Sequence, residues 1–124
     1  MARVLVLSAD LLFGSNVQGA LTAAGHEVQT LASEARLRER LADTTRPGAE
    51  VLVVDLTDED LPGAGIVAAL MSAGELGTTR TLGFYSHVDV AARESAEQAG
   101  FDLVVPRSRM AREGAALVTR LASG

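Results

Sequence analysis

Cysteine and lysine are both missing from this 124-residue chain. Without cysteine there can be no disulfide, no thiolate metal site and no thiol nucleophile. Without lysine, all eleven cationic side chains are arginine. Aromatic residues are only 3% of the sequence, which leaves valine, leucine and alanine to build the core. Apolar runs stop well short of the roughly 20 residues that span a bilayer. VLVL, after Met1-Ala2-Arg3, is interrupted by Ser8 and Asp10 too soon for a secretory signal. The expected location is therefore cytoplasmic. A formal charge of −5 repels the phosphates of nucleic acid and of anionic membranes, so neither is an expected partner.

What the chain does have is length enough to bury one core, and a regular alternation. Short Val- and Leu-rich runs alternate with Ala-rich stretches from end to end, the pattern of repeated βα units and of a parallel sheet covered on both faces. The predicted strands are Arg3 to Leu7, Glu27 to Leu31, Val51 to Asp55, Thr81 to Tyr85 and Leu103 to Val105. The predicted helices are about Gly14 to Ala24, Ser33 to Asp43, Pro62 to Ala73, Val88 to Ala99 and Ser108 to Ala122. Gly25 and Gly100 each close an Ala-rich helix, as a left-handed glycine does. Ser33 is placed to cap the second helix, and Asp60 with Pro62 to start the third. Ser86 or His87 is placed to start the fourth, with Asp89 favourable to its dipole. TTRPG at 44 to 48 and GELGTTR at 74 to 80 read as surface connections. No repeat, low-complexity tract or linker interrupts residues 1 to 124, so a single domain without an output domain is expected. The resulting α/β class is a flavodoxin-like three-layer sandwich with five parallel strands in the order 2-1-3-4-5.

In such a sheet the C-terminal strand ends meet at one crevice. That gathers SAD at 8 to 10, DLTDED at 55 to 60, YSHVD at 85 to 89 and PRSR at 106 to 109. On these segments the chain resembles the receiver domains of bacterial response regulators, the CheY-like family, over nearly its full length. RVLVLSAD matches the family's first strand and acidic edge, and AEVLVVDL its phospho-acceptor strand. The stretch from TLGFYSHVD through EQAGFDLVVPR matches its fourth and fifth units. The resemblance implies Asp55 in the acceptor place and Ser86 in the place of the hydroxyl that reports phosphorylation. It also implies a magnesium ion held by two adjacent acids after the first strand, and a lysine near the end of the fifth.

The chain departs from the family at both. Ser8 and Ala9 stand where the acid pair belongs, with Asp10 one position beyond. The family's Lys-Pro falls on Pro106-Arg107, or on Val105-Pro106 in a register moved by one. A planar guanidinium is no equivalent of an ammonium at so small a site. Leu103 occupies the aromatic switch position, and more residues separate Asp55 from Pro62 than the family's usual connection allows. Without the divalent ion, a phosphoryl donor and the acceptor carboxylate repel one another. The chain is therefore expected to be a pseudo-receiver: not an enzyme, without a cofactor, Mg²⁺ included, and acting by protein contact independently of Asp55 phosphorylation.

The pocket candidates are Ser8, Asp10, Asp55, Ser86, His87 and Arg107. Asp55 is expected to cap backbone amides at its strand end, or else to bind a cation with Asp10. His87 is a candidate to hydrogen-bond Asp55 across the crevice, a contact sensitive to pH near neutrality. Arg107 either neutralises Asp55 or Asp10 or, with Arg109 and the amides near Gly14 and Ser15, receives a phosphate, nucleotide or carboxylate. Asp58, Glu59 and Asp60 lack the glycine and spacing of a calcium loop and read as a solvated loop. His26, after a helix end, is expected as a stabilised imidazolium without a functional role.

A protein partner or a homodimer is expected on the fourth helix, fifth strand and fifth helix. That surface draws on Val90, Ala91, Ser95, Leu103, Val105, Met110, Ala111, Leu117 and Val118, much of which must also serve the core. The competing reading is a nucleotide-, dinucleotide- or small-anion-binding domain of flavodoxin or Rossmann type. FGSNVQGALTAAGHEV has glycines of a first βα turn, but not the full G-x-G-x-x-G pattern, and QTLAS supplies no acid for a ribose. A cobalamin module shares the topology and the GHEV ending, but the metal-ligating histidine of its first loop is missing here.

Overall fold

Among the described residues, strands β1 (Arg3–Leu7), β2 (Glu27–Leu31), β3 (Val51–Asp55), β4 (Arg80–Tyr85) and β5 (Leu103–Pro106) alternate with five helices. These are α1 (Leu11–Ala23), α2 (Glu34–Ala42), α3 (Gly63–Ser72), α4 (Val90–Ala99) and α5 (Arg107–Ser123). The computed structural model describes residues 2–86 and 88–124. Every neighbouring pair of strands is parallel, in the order β2-β1-β3-β4-β5. This is the flavodoxin-like order expected from the alternation of the sequence.

Central β3 is buried at every position, as a strand covered on both faces has to be. Alternation along the strands divides the core in two. Val4, Val6, Val51, Val53, Leu82 and Phe84 pack with Val17 and Leu21 of α1 and with Met110, Leu117 and Val118 of α5. Leu5, Leu7, Leu52 and Val54 point the other way, onto Leu37 of α2 and Ile66, Val67 and Leu70 of α3. Each such side chain contributes about 1.5–3 kcal/mol by leaving water. Gly83 of β4 is required by close packing: a Cβ there would stand 2.8 Å from Leu56 and 3.0 Å from the Phe101 ring. Among the described residues no helix is long and apolar enough to cross a membrane.

Two helix starts differ from expectation by more than one residue, and both lie at the C-terminal edge of the sheet. Helix α1 begins at Leu11 rather than Gly14, because the Asp10 carboxylate accepts the Phe13 N–H at 3.0 Å and caps it. Helix α4 begins at Val90, and its cap is Asp89 rather than Ser86 or His87; the Asp89 carboxylate accepts the Ala92 N–H at 2.9 Å. Asp60 does not cap α3 either. Its own N–H goes to the Asp58 carboxylate at 2.9 Å, and α3 starts after Pro62 without a side-chain cap. Gly25 and Gly100 do take left-handed φ values of 94° and 98°.

His26 is not a helix-end imidazolium. It is buried, its Nδ1 accepts the Ala2 N–H at 3.0 Å, and its Nε2 lies 3.1 Å from Thr119 Oγ1. With Nδ1 accepting, the ring links Ala2, just before β1, to Thr119 of α5.

Candidate functional site

Parallel register sets Leu7 beside Val54, Asp55 beside Phe84 and Tyr85 beside Pro106, so the segments that leave β1, β3, β4 and β5 start side by side. Asp55 is completely buried. A buried carboxylate needs partners, and among the described residues this one has three. Oδ1 accepts the Thr57 N–H at 2.8 Å and the Thr57 hydroxyl at 2.6 Å, and Oδ2 accepts the Ser8 hydroxyl at 3.1 Å. Ser8, also buried, accepts in turn the Asp10 N–H at 3.3 Å. The bonds to Thr57 close a tight turn just after the strand, a local motif open to an aspartate two residues before a threonine.

Asp10 is engaged elsewhere. Its Oδ1 caps α1, and its Oδ2 lies 3.0 Å from Arg107 Nη2. The Phe13 N–H first, and Arg107 after it, hold the Asp10 carboxyl below the usual carboxylate range in spite of some desolvation. The Arg107 guanidinium also lies 4.0 Å above the Phe13 ring. Of the two targets the sequence leaves open for Arg107, the structure selects Asp10.

Arg109 does not join it, because it pairs with Glu113 at 3.3 Å one turn along α5. The Gly14 N–H is bonded to the Asp10 carbonyl at 2.8 Å. The alternative cradle of two arginines and α1 amides is therefore not assembled. Ser86 is half-buried, and its carbonyl accepts the Asp89 N–H at 2.8 Å. Among the described residues no hydrogen bond joins Ser86 to Asp55. His87, and with it the expected bond to Asp55, lies outside the described residues.

A magnesium ion of the kind the resemblance implies needs carboxylate oxygens free to turn toward it. Here all four oxygens of Asp10 and Asp55 already accept N–H or O–H donors. Ser8 presents a donor where a second acid is required, and Arg107 fixes a positive charge beside Asp10. These residues do not fit a divalent cation. Among the described residues no three acid or histidine side chains gather as metal ligands.

Thr57 and Phe13 are absent from the sequence-based candidates. Asp-Leu-Thr at a strand end is a usable signal for Thr57. Nothing local signals the role of Phe13, because its contact with Arg107 joins opposite ends of the chain. Large exposed apolar side chains also lie at this edge: Leu11 and Leu12 at the start of α1, Val88 just before α4 and Val90 at its start.

No protein-family model matches the chain, and no curated protein matches it. Solved structures do. A putative response regulator from Chloroflexus aurantiacus superposes with a TM-score of 0.86 at 16% identity, over 99% of this chain and 98% of that one. The receiver domain of the Francisella response regulator 1452 gives 0.79 at 15% identity, over 99% and 98%. A response regulator from Thermotoga maritima gives 0.80 at 16% identity, over 100% and 99%. At such identities the likeness carries shape and not site chemistry. From end to end, this chain has the CheY-like receiver fold of the response regulators.

Proposed function

We propose that the chain is a cytoplasmic signalling module of receiver type that works by protein contact, without phosphorylation of Asp55. One observation carries this reading: the Asp55 carboxylate is fully buried, with both oxygens taken by Ser8 and Thr57. Building an acyl phosphate at Oδ2 requires breaking the bond that joins the edges of β1 and β3. Building it at Oδ1 requires breaking two bonds to Thr57. The residues around Asp55 do not fit a divalent ion and the chain has no lysine, so neither step has the usual offset for the arriving charge.

The surface of α4, β5 and α5 suits contact with a second copy or a partner protein. Val105, Met110, Leu117 and Val118 are buried in the core and are unavailable there, whereas Val90, Ala91, Ser95 and Ala111 are exposed. Exposed Glu94 and Glu97 lie on α4, and exposed Arg112 and Arg120 on α5. Glu97 is already paired with Arg93 and Arg112 lies near Glu113, which leaves Glu94 and Arg120 as the exposed charges open to a partner.

The test combines acetyl phosphate with Mg²⁺. No phosphoryl label is expected on the protein, no melting shift with beryllofluoride, and no loss of self-association or partner binding in Asp55→Asn. Labelling at the rate of active regulators, abolished by Asp55→Asn, would overturn the proposal. A melting shift with NAD or nucleotides instead would favour a ligand-binding domain.

A further inference from the structure

Three arginines surround a cavity of about 130 Å³ at the opposite, N-terminal edge of the sheet: Arg3 of β1, Arg40 of α2 and Arg46 of the loop before β3. Two of them are held in place by hydrogen bonds, Arg40 to residues of the cavity wall and Arg3 to residues of the adjoining surface. Arg40 donates from Nε to Gln29 Oε1 at 3.2 Å and from Nη2 to the Pro47 carbonyl at 2.9 Å. Arg3 donates from Nε to the Gly48 carbonyl at 2.9 Å and meets Glu50 at 3.3 Å. A guanidinium has five N–H groups, so each keeps donors after these bonds. Fixing long arginine side chains is normally a cost of binding, and here the fold has already met it for two.

Two of the three charges are not cancelled by close pairing, whereas Arg3 is paired with Glu50. Among the described residues, neither Arg40 nor Arg46 has a carboxylate within ion-pair distance. The Asp43 carboxyl is held below its usual range first by its bonds to the Thr45 hydroxyl and to the Thr45 N–H at 3.0 Å, and then by Arg46 and Arg40, so its negative charge stays near both arginines. Glu27 lines the cavity and Glu50 holds Arg3, so an anion meets some competition.

We propose that this cavity binds a tetrahedral oxyanion, inorganic phosphate or a phosphomonoester, between Arg40, Arg46 and Arg3. Its volume equals that of about four waters, enough for a five-atom anion. Three cations carried by three separate elements suit a tetrahedral ligand better than a planar carboxylate, which a single bidentate arginine serves well. The site lies away from Asp55 and stands or falls independently of the signalling proposal.

Inorganic phosphate is titrated into the ¹⁵N-labelled full chain, against sodium chloride at matched ionic strength. Saturating amide shifts are expected at Gly48 and at the Gln29 side chain, with a dissociation constant on the order of 1 mM. Arg40→Gln should weaken binding at least tenfold. Arg46→Gln should weaken it severalfold, and because no hydrogen bond of the described structure depends on that side chain, it separates loss of ligand from loss of loop structure. Glycerol phosphate binding as well as the free ion identifies the ester as the ligand class; binding of the free ion alone identifies inorganic phosphate. Equal shifts with chloride, or titrations unchanged in both variants, would overturn the proposal.

Discussion

Asp55→Asn separates a carboxylate settled by hydrogen bonds from one strained by missing counter-charge. Asparagine keeps the shape and one acceptor oxygen. In the Oδ1 place that oxygen still accepts the Thr57 N–H and hydroxyl, while the new NH₂ meets the Ser8 hydroxyl. Ser8 must then reverse and accept, while still accepting the Asp10 N–H, which its two lone pairs allow. The loss is the difference between charge-assisted and neutral bonds at three contacts, roughly 0.5–1 kcal/mol each. No longer burying a carboxylate offsets part of this, leaving a net loss of about 1–2 kcal/mol. Asp55→Ala strands the Thr57 N–H and the Ser8 hydroxyl in a dry place and leaves a void, costing about 3–5 kcal/mol. For a chain of this size each kcal/mol moves the melting temperature by roughly 4 °C, so the asparagine variant should melt roughly 4–8 °C lower and the alanine variant lower still. Scanning calorimetry and urea unfolding read both. A crowded, metal-competent acid cluster behaves the opposite way, because neutralising one of several like charges stabilises it. A higher melting temperature for Asp55→Asn would therefore refute the reasoning.

Three further outcomes are expected. Arg107→Ala removes a half-exposed ion pair and a cation stacked on Phe13, and should cost about 1 kcal/mol in urea unfolding; a cost above roughly 3 kcal/mol would show that the arginine holds much more than these two contacts. Asp10 and Asp43 both have lowered carboxyl values in the folded chain, Asp10 first through the Phe13 N–H and Asp43 first through the Thr45 hydroxyl. As pH falls the unfolded chain takes up these protons first, so their stabilisation is complete above about pH 4 and fades below it. The doubly substituted Asp10→Asn, Asp43→Asn chain should thus lose stability less steeply in acid, and an unchanged acid slope would contradict the assignment. Gly63→Ala places a Cβ 2.5 Å from Val54 and 3.4 Å from the Asp55 carbonyl, so α3 has to move off β3. A loss of about 1–3 kcal/mol should appear by calorimetry, with amide shifts spreading through residues 55 to 62.

Most of the fold was legible because its signals are local and repeated. The five Val- and Leu-rich runs, the glycines at 25 and 100 and the Ala-rich stretches each mark an element without reference to the rest of the chain. The misplaced starts of α1 and α4 share a cause: Asp10 and Asp89 read as chemistry or as dipole partners, whereas both carboxylates cap. An aspartate before an apolar run carries either meaning, and only the position of the N–H it faces decides. The candidate site was legible as a set of neighbours and not as a set of bonds. Parallel topology brings Ser8, Asp55 and Arg107 to one edge, but whether Arg107 turns to Asp10 or Asp55 depends on Phe13, which offers its ring from α1. His26 was misjudged for the same reason, since its partners Ala2 and Thr119 come from distant parts of the chain.

The hydroxyl that Ser8 gives to Asp55 has a consequence for anyone wishing to convert this scaffold into a phosphate-driven switch. Ser8→Asp alone would press two carboxylates together with no cation between them, so the first step of such a redesign is a loss of stability rather than a gain in reactivity. Freeing Asp55 from Thr57, removing Arg107 from Asp10 and adding an ammonium at the fifth strand would all have to arrive together.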